Sequence, residues 1–454
     1  MEKRERIQLS DHFGYRRLFR FVLPPIVMMV FTSVYSIVDG FFVSYFDGGL
    51  PFAAINLIFP LIMIVGAVGF MFGTGGSAVV AKYLGGGDEK RAKEIFSMVV
   101  YATVIVGVIL SAIGIAVCRP VSELLCKGEK NISVEERALM VDYCVKYGSI
   151  ILAAMPAFML QNVFQSFFVT AEKPRLGLYV TVAAGCANIV LDAAFVPFFG
   201  VVGAAFATAV SQAVGGLVPL FYFFRKNDSL LRLGKCRFEG RILGGVCVNG
   251  SSELMTNISS SVVSLLFNAQ LLKLIGYKGV SAYGIIMYIG FIFVAIFIGY
   301  AIGSAPIIGY NYGASNDKEL KNIFKKSLTV MFSVGVAMTV LAFAFASPLA
   351  KIFSRGDAEL HALATHAMRV YAFSFLVCGV NIFSSSFFTA LSNGGVSALL
   401  SFLRTLVFQM LAVLVLPIFF GVEGVWASVI VAEAFAAVVS FLCFFALRKR
   451  YRYM

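Results

Sequence analysis

The sequence predicts an all-α membrane protein of twelve transmembrane helices in two six-helix bundles, and three observations carry that prediction. Of 454 residues, 59% are hydrophobic and only 13% charged, with a mean hydropathy of +0.88; that balance suits lipid rather than water. Twelve apolar segments can be marked off along the chain. Each is long enough to cross about 30 Å of hydrocarbon, for which about 20 helical residues suffice. The last six segments also repeat the first six at an offset of roughly 220–228 residues.

The first bundle takes segments 15–46, 52–81, 94–118, 141–170, 176–197 and 201–224, and the second 242–272, 280–311, 322–347, 362–391, 396–417 and 421–446. Spanning strands would need alternating patterns of about ten residues, which are missing. Span 1 follows a basic start without a cleavage-type site before Asp39, so it reads as retained. Its Pro24-Pro25 pair removes backbone hydrogen bonds and makes a bend easy, a hinge candidate beside the plainer reading of a passive kink. Span 2 carries Gly66, Gly69 and Gly73, and span 8 carries Gly299 and Gly303, spacings that let helices approach closely. The run Gly73–Ala78 fits a dinucleotide-loop pattern but lies inside a membrane helix with no strand before it, so that reading is rejected.

The repeat is visible residue by residue. Gly76-Ser77-Ala78 recurs as Gly303-Ser304-Ala305, Phe167-Phe168 as Phe387-Phe388, Pro197 as Pro417, and Phe199-Gly200 as Phe420-Gly421. Two copies of six spans share one orientation, hence a parallel repeat about an axis along the membrane normal. The expected organisation is an N-lobe at 1–224, a basic cytoplasmic linker at 225–241 and a C-lobe at 242–454.

A net charge of +13 raises the question of nucleic acid. The positive residues cluster between alternate spans, with six Lys or Arg in 1–20, four in 82–93, six in 225–241 and four in 448–452. That is a positive-inside bias, which places both termini in the cytoplasm and leaves no nucleic-acid patch. The eight cysteines show no CxxC spacing and read as small apolar fillers; Cys118 and Cys126 flank an external loop, where a disulfide or two thiols would fit. Three scattered histidines make no metal site, and no HExxH, Ser–His or aspartate-rich set points to an enzyme.

The residues that stand out are polar groups in the spans. A buried aspartate costs roughly 2.5–3.5 kcal/mol to insert, yet Asp39 lies in span 1 and Asp192 in span 5. Asn188 and Asp192 are four residues apart and stack on one helix face. With the orientation above, Asp39 and Thr208 lie about 10 Å and Asp192 about 8 Å below the outer surface. Carboxylate, amide and hydroxyl oxygens at one level suit a hard cation such as Na⁺, or a proton on the carboxylates. The plainer alternatives are a carboxyl bonded by Ser36 or Tyr35 one turn back, helix–helix glue for Asn188 and packing for Thr208. In the second lobe Asn268 stands where Asp39 would recur and Val413 near the counterpart of Asp192, so the cation site is not duplicated. Glu253, Arg404 and Glu433 remain as intramembrane charges, open to an ion-pair or a transport role. Asn162 and Asn381 occupy equivalent places in the two lobes, with Gln165 one turn beyond Asn162; cleft lining and packing glue both fit.

Twelve spans in two like-oriented halves, Tyr35-Ser36-Ile37-Val38-Asp39, Asn188-x-x-x-Asp192 and Gly203-Ala204-Ala205-Phe206-Ala207-Thr208-x-x-Ser211-Gln212 together resemble the multidrug and toxic compound extrusion (MATE) family, with its bacterial MepA-like branch nearest. The resemblance covers nearly the whole chain. It implies a V-shaped fold in a bacterial cell membrane and alternating access. The implied activity is export of amphipathic, cationic or aromatic drugs, by a monomer, in exchange for H⁺ or Na⁺, with no cofactor beyond that ion. It also implies a cation site at Asp39, Asn188, Asp192 and Thr208. Tyr35, Asn162, Gln165, Glu253, Asn381 and Arg404 are the candidates for the substrate or cleft surface. The span-7 glutamate of another branch has no exact match; Glu253 comes about two turns early. The alternative within the same architecture is a flippase for lipid-linked precursors. Its cleft should be strongly cationic, whereas Arg404 is the one Lys or Arg deep within a span.

Overall fold

The computed structural model of the protein describes residues 7–46, 49–127, 133–354 and 357–454. Every regular element among them is a helix, as apolar backbone in lipid requires when no closed barrel is formed. The order is α1 (Tyr15–Phe46), α2 (Gly49–Gly85), α3 (Glu89–Cys126), α4 (Val134–Ala153), α5 (Met155–Thr170), α6 (Pro174–Phe224), α7 (Gly240–Ile275), α8 (Tyr277–Gly313), α9 (Asp317–Ala344), α10 (Ala346–Phe353), α11 (Ala358–Ala372), α12 (Phe375–Ala390), α13 (Gly394–Phe402), a π-helical turn at Leu403–Phe408, and α14 (Gln409–Tyr451).

Among the described residues eight helices are long and apolar enough to cross a membrane, and two bent pairs, α4–α5 and α11–α12, raise this to ten. The two longest apolar runs, 51 and 58 residues, are each interrupted by a glycine: Gly200 in α6 (φ 54, ψ −133) and Gly421 in α14 (φ 55, ψ −132). Divided there, the two runs give four stretches that match the segments 176–197, 201–224, 396–417 and 421–446 read from the sequence. Side chains facing outward along them include Phe198, Phe199, Phe206, Ile418, Phe419 and Phe420, an apolar surface of the kind that lipid covers.

The internal repeat extends to the backbone. The α4–α5 break bends by 54° and the α11–α12 break by 53°. Each break is followed by a helix that ends on a left-handed residue, Glu172 and Ser392, both at φ 58. Those turns close through Lys173 N to Phe168 O and Asn393 N to Phe388 O, each 2.8 Å, the six-to-one bond of a Schellman ending. Gly200 and Gly421 then repeat the same backbone angles, in a region essentially reserved for glycine. Gly421→Ala is accordingly expected to destabilise the protein by about 1–3 kcal/mol. Thermal unfolding in detergent, with Gly395→Ala as the control because a methyl there meets no atom within 4 Å, should show the loss at Gly421 alone.

By its contacts the chain forms two compact units. One comprises Phe31–Val80 and Asp88–Cys247. In it, α2 lies close on α5: a methyl at Gly69 would sit 2.7 Å from Met159 Cα, and one at Gly73 3.0 Å from Asn162 O. Phe96, Phe164, Phe167, Phe168 and Phe223 form its aromatic core. The segment after α6 packs down on α3, with Leu231 fully buried, Gly234 N donating to Ser97 Oγ at 3.1 Å and Tyr101 Oη to Gly234 O at 3.1 Å. Arg91 pairs with Glu239, which holds the Glu239 carboxyl below its usual range. Cys118 donates its thiol to the Cys144 carbonyl at 4.0 Å.

The other unit comprises Met1–Val30, Ala81–Gly87 and Val248–Met454. Here α8 packs on α1 through its small residues: a methyl at Gly299 would meet Pro25 O at 2.8 Å, and one at Gly303 would meet Val22 Cβ at 3.0 Å. Pro24 and Pro25 are therefore buried inside an unbroken α1, against that flat face. The segment before α1 is strapped to α9. Glu319 accepts from Phe13 N (2.9 Å) and Asn322 Nδ2 (2.8 Å) and bonds His12 Nδ1 (2.7 Å), while Lys326 donates to Phe13 O (2.7 Å). Phe324, Phe383, Phe387, Phe388, Phe444 and Tyr453 build the aromatic core of this unit.

Candidate functional site

Four helices of one unit converge on two carboxyls. Asp39, in the C-terminal half of α1, interacts directly with Asp192 of α6. Asp192 is fully buried and Asn188, one turn before it, is 1% exposed. The approach is possible because α6 has a glycine one turn earlier still. A methyl at Gly185 would lie 2.8 Å from the Tyr35 ring, so the aromatic face of α1 settles into that gap. Beyond Gly200 the chain returns, and Asn188 Nδ2 donates to Thr208 Oγ1 at 3.5 Å. Ser211 Oγ donates to Ala184 O at 2.8 Å, fixing the two limbs of α6 side by side.

The hydrogen-bonding of this cluster is incomplete in a consistent way. Asp39 Oδ1, both carboxyl oxygens of Asp192 and Gln212 Oε1 are buried and accept no hydrogen bond. Ser36 donates to Thr32 O instead, and the Tyr35 hydroxyl bonds Gln161 of α5. The reading of Asp39 as a carboxyl satisfied one turn back therefore does not describe it. Two carboxylates in contact and out of water repel each other, and unpaired acceptors at depth are costly. A positive charge between them, as a proton or a small cation, removes both costs. Two acids with an amide and a hydroxyl make an oxygen set suited to a hard monovalent ion. Among the described residues no group of three or more His, Cys, Asp or Glu side chains assembles a metal site.

Two participants were not legible in the sequence. Tyr147 of α4 is 5% exposed and lies beside both aspartates, and Gln161 of α5 holds Tyr35. A tyrosine or glutamine on an apolar helix ordinarily reads as packing, and only the fold shows which polar atom it meets. Asn162 and Gln165, the neighbours of Gln161, are buried as well; Asn162 Nδ2 finds no acceptor.

In the other unit two of the intramembrane charges, Arg404 and Glu433, form a second, hydrogen-bonded cluster. Arg404 lies on the π-helical turn Leu403–Phe408, a wide turn frequently found at functional sites. Its Nε donates to Glu433 Oε1 at 2.9 Å and its Nη2 to the same oxygen at 2.8 Å. Nη2 also reaches Cys378 Sγ at 3.4 Å. Asn381 Nδ2 donates to Glu433 Oε2 at 2.7 Å and to Glu433 O at 2.9 Å, and Ser440 Oγ donates to Asn381 Oδ1 at 3.2 Å. Glu253 of α7 is half-buried within electrostatic reach of Arg404. Asn381, paired by position with Asn162 in the repeat, is thus committed to Glu433.

A protein-family model described as MatE matches residues 24–194 and 254–414. Multidrug export protein MepA of Staphylococcus haemolyticus is 26% identical over 96% of this chain and 94% of its own length. The protein of that name from Staphylococcus aureus is 24% identical over the same shares. Among solved structures, a MATE transporter in complex with MaL6 superposes with a TM-score of 0.88 at 23% identity, over 96% of this chain and 98% of that one. An outward-facing multidrug resistance MATE transporter of the MOP superfamily superposes with a TM-score of 0.85 at 24% identity, over 95% and 96%.

Proposed function

The chain belongs to the MatE family, a multi-pass membrane family of transporters, and on that premise we propose that it is a cation-coupled multidrug efflux antiporter. In this reading H⁺ or Na⁺ enters from outside, and amphipathic or cationic organic compounds leave the cytoplasm by alternating access. The chain works in a bacterial cell membrane with both termini in the cytoplasm, as the placement of its Lys and Arg residues supports. The observation that carries the proposal is the Asp39–Asp192 pair, buried with unfilled acceptor oxygens beside Asn188 and Thr208. Such a pair binds a cation well when dry and close and poorly when separated or hydrated. That difference in affinity between two conformations is what coupling requires.

Tyr35 and Tyr147 lie beside the pair, and the Tyr35 hydroxyl is held by Gln161. Asn162, Gln165, Glu253, Asn381 and Arg404 stay candidates for the surface that meets substrate. The test is transport of a fluorescent organic cation by proteoliposomes under separately imposed pH and Na⁺ gradients. Export that follows one of the two gradients is the expected result. Export indifferent to both would exclude an antiporter, and movement of a lipid-linked precursor in its place would make the chain a flippase.

A further inference from the structure

Helix α14 ends in a recess whose lining residues are none of those of the carboxyl cluster. It holds about 380 Å³ and is lined by Lys321 of α9 and by Arg448, Lys449, Arg452, Met454 and the one acid Asp317. Four cationic side chains thus face one acidic side chain. That carboxylate is partly taken, with Arg452 Nη1 3.6 Å from Asp317 Oδ2. Among the described residues no carboxylate comes within 4.0 Å of Lys321, Arg448 or Lys449.

The recess is a built feature of the fold. Arg452 adopts a left-handed conformation (φ 54, ψ 34), uncommon for a residue with a side chain, and its N–H closes on Arg448 O at 2.8 Å. The strain is held by Tyr453, which is fully buried, donates its hydroxyl to Phe444 O at 2.9 Å, and packs on Phe324 and Phe387. With the chain turned back in this way, Arg452 stands over the start of α9 and faces Lys321. One and two turns before Arg448 and Lys449, the same helix exposes Phe445 and then Phe441 and Leu442. A cationic recess is thereby continuous with an apolar helix face that lies in lipid. The corresponding end of the first repeat, at the close of α6, has the same composition in outline. Arg225 and Lys226 line a recess there beside exposed Phe221 and Phe224, but its Asp228 is bound by Lys173 and the Tyr222 hydroxyl.

We propose that the recess at the end of α14 binds the phosphate of an anionic phospholipid, whose acyl chains lie along Phe441, Leu442 and Phe445. Phosphate oxygens would take up the charge of Lys321, Arg448 and Lys449 that no protein carboxylate answers, as basic pockets at helix ends do with acidic headgroups. Free phosphate shares the headgroup chemistry but has nothing to place on the apolar face, and this favours the lipid. The assignment does not depend on which ion drives transport.

The test is equilibrium titration of the detergent-solubilised full chain with dioleoylphosphatidylglycerol, with dioleoylphosphatidylcholine and with inorganic phosphate. Phosphatidylglycerol is expected to bind and phosphatidylcholine not to. The Arg448→Gln/Lys449→Gln variant should bind about 30-fold more weakly, from about 1 kcal/mol for each charge removed and 1.4 kcal/mol per decade. Arg448→Lys/Lys449→Arg should keep the affinity, separating loss of charge from loss of fold. Equal binding of the two lipids would overturn the proposal, as would an unchanged affinity in the glutamine variant. Displacement of the lipid by millimolar phosphate would assign the recess to a free anion instead.

Discussion

Asp39→Asn and Asp192→Asn are each expected to abolish cation-driven export, the efflux rate under an imposed gradient falling by at least about tenfold while the protein still folds. The substitution keeps the shape of the side chain and removes its charge. In the proposed mechanism the two carboxyl groups share one ion, since Asp39 Oδ1 and both oxygens of Asp192 are buried without a hydrogen bond from the groups around the pair. With one of them neutral, the ion is no longer bound much more tightly in one conformation than in the other, and a ligand without such a difference shifts nothing. Because the pair acts as a unit, the double variant should be no worse than either single one. Tyr147→Phe and Thr208→Val should give smaller losses, since each leaves both acids in place. Proteoliposome efflux with a fluorescent organic cation reads all of these. Undiminished gradient dependence in both single variants would detach coupling from this site.

Arg404→Met and Glu433→Gln should be the most destabilising single changes in the other unit. Each would leave a charge inside the protein without the partner that now binds it through contacts of 2.8 and 2.9 Å. Breaking a buried pair in this way costs about 3–5 kcal/mol, whereas replacing both members with apolar residues is often close to neutral. The double variant Arg404→Met/Glu433→Leu should therefore recover most of the loss, leaving the amide of Asn381 as the residual cost. Thermal unfolding of the purified proteins in detergent decides it. If the single variants melt with the wild type, the pair does not hold this unit together. A double variant that is stable but silent in transport would put Arg404 and Glu433 in the transport pathway.

Much of the fold was legible because its signals are local or periodic. Hydropathy marks segments of a length set by the bilayer, and Gly200 and Gly421 mark the returns inside the two longest helices. The repeated words around Phe167 and Phe387 are followed in the structure by matching backbone turns at Glu172 and Ser392, which the sequence did not predict. The candidate site was legible as a set of types: two acids, an amide and a hydroxyl in apolar helices have few uses there. Its frame was less so. Tyr147 and Gln161 carry no mark that separates them from the packing residues around them. The bond between Asn381 and Glu433 gave no sign in a sequence where Asn381 looked like the mere twin of Asn162.

What the sequence by itself determined is the solvent the helices live in, their number as apolar segments and the doubling of the design. Each of these follows from composition and spacing along one dimension. Only the tertiary structure decided which polar atoms meet. Whether Asp39 reaches Asp192 depends on the rotation of α1 about its own axis, and on the absence of a side chain at Gly185 that lets the two helices close. Those are packing outcomes among residues far apart in the chain. They are settled by volume and shape, and no pattern within a single helix encodes them.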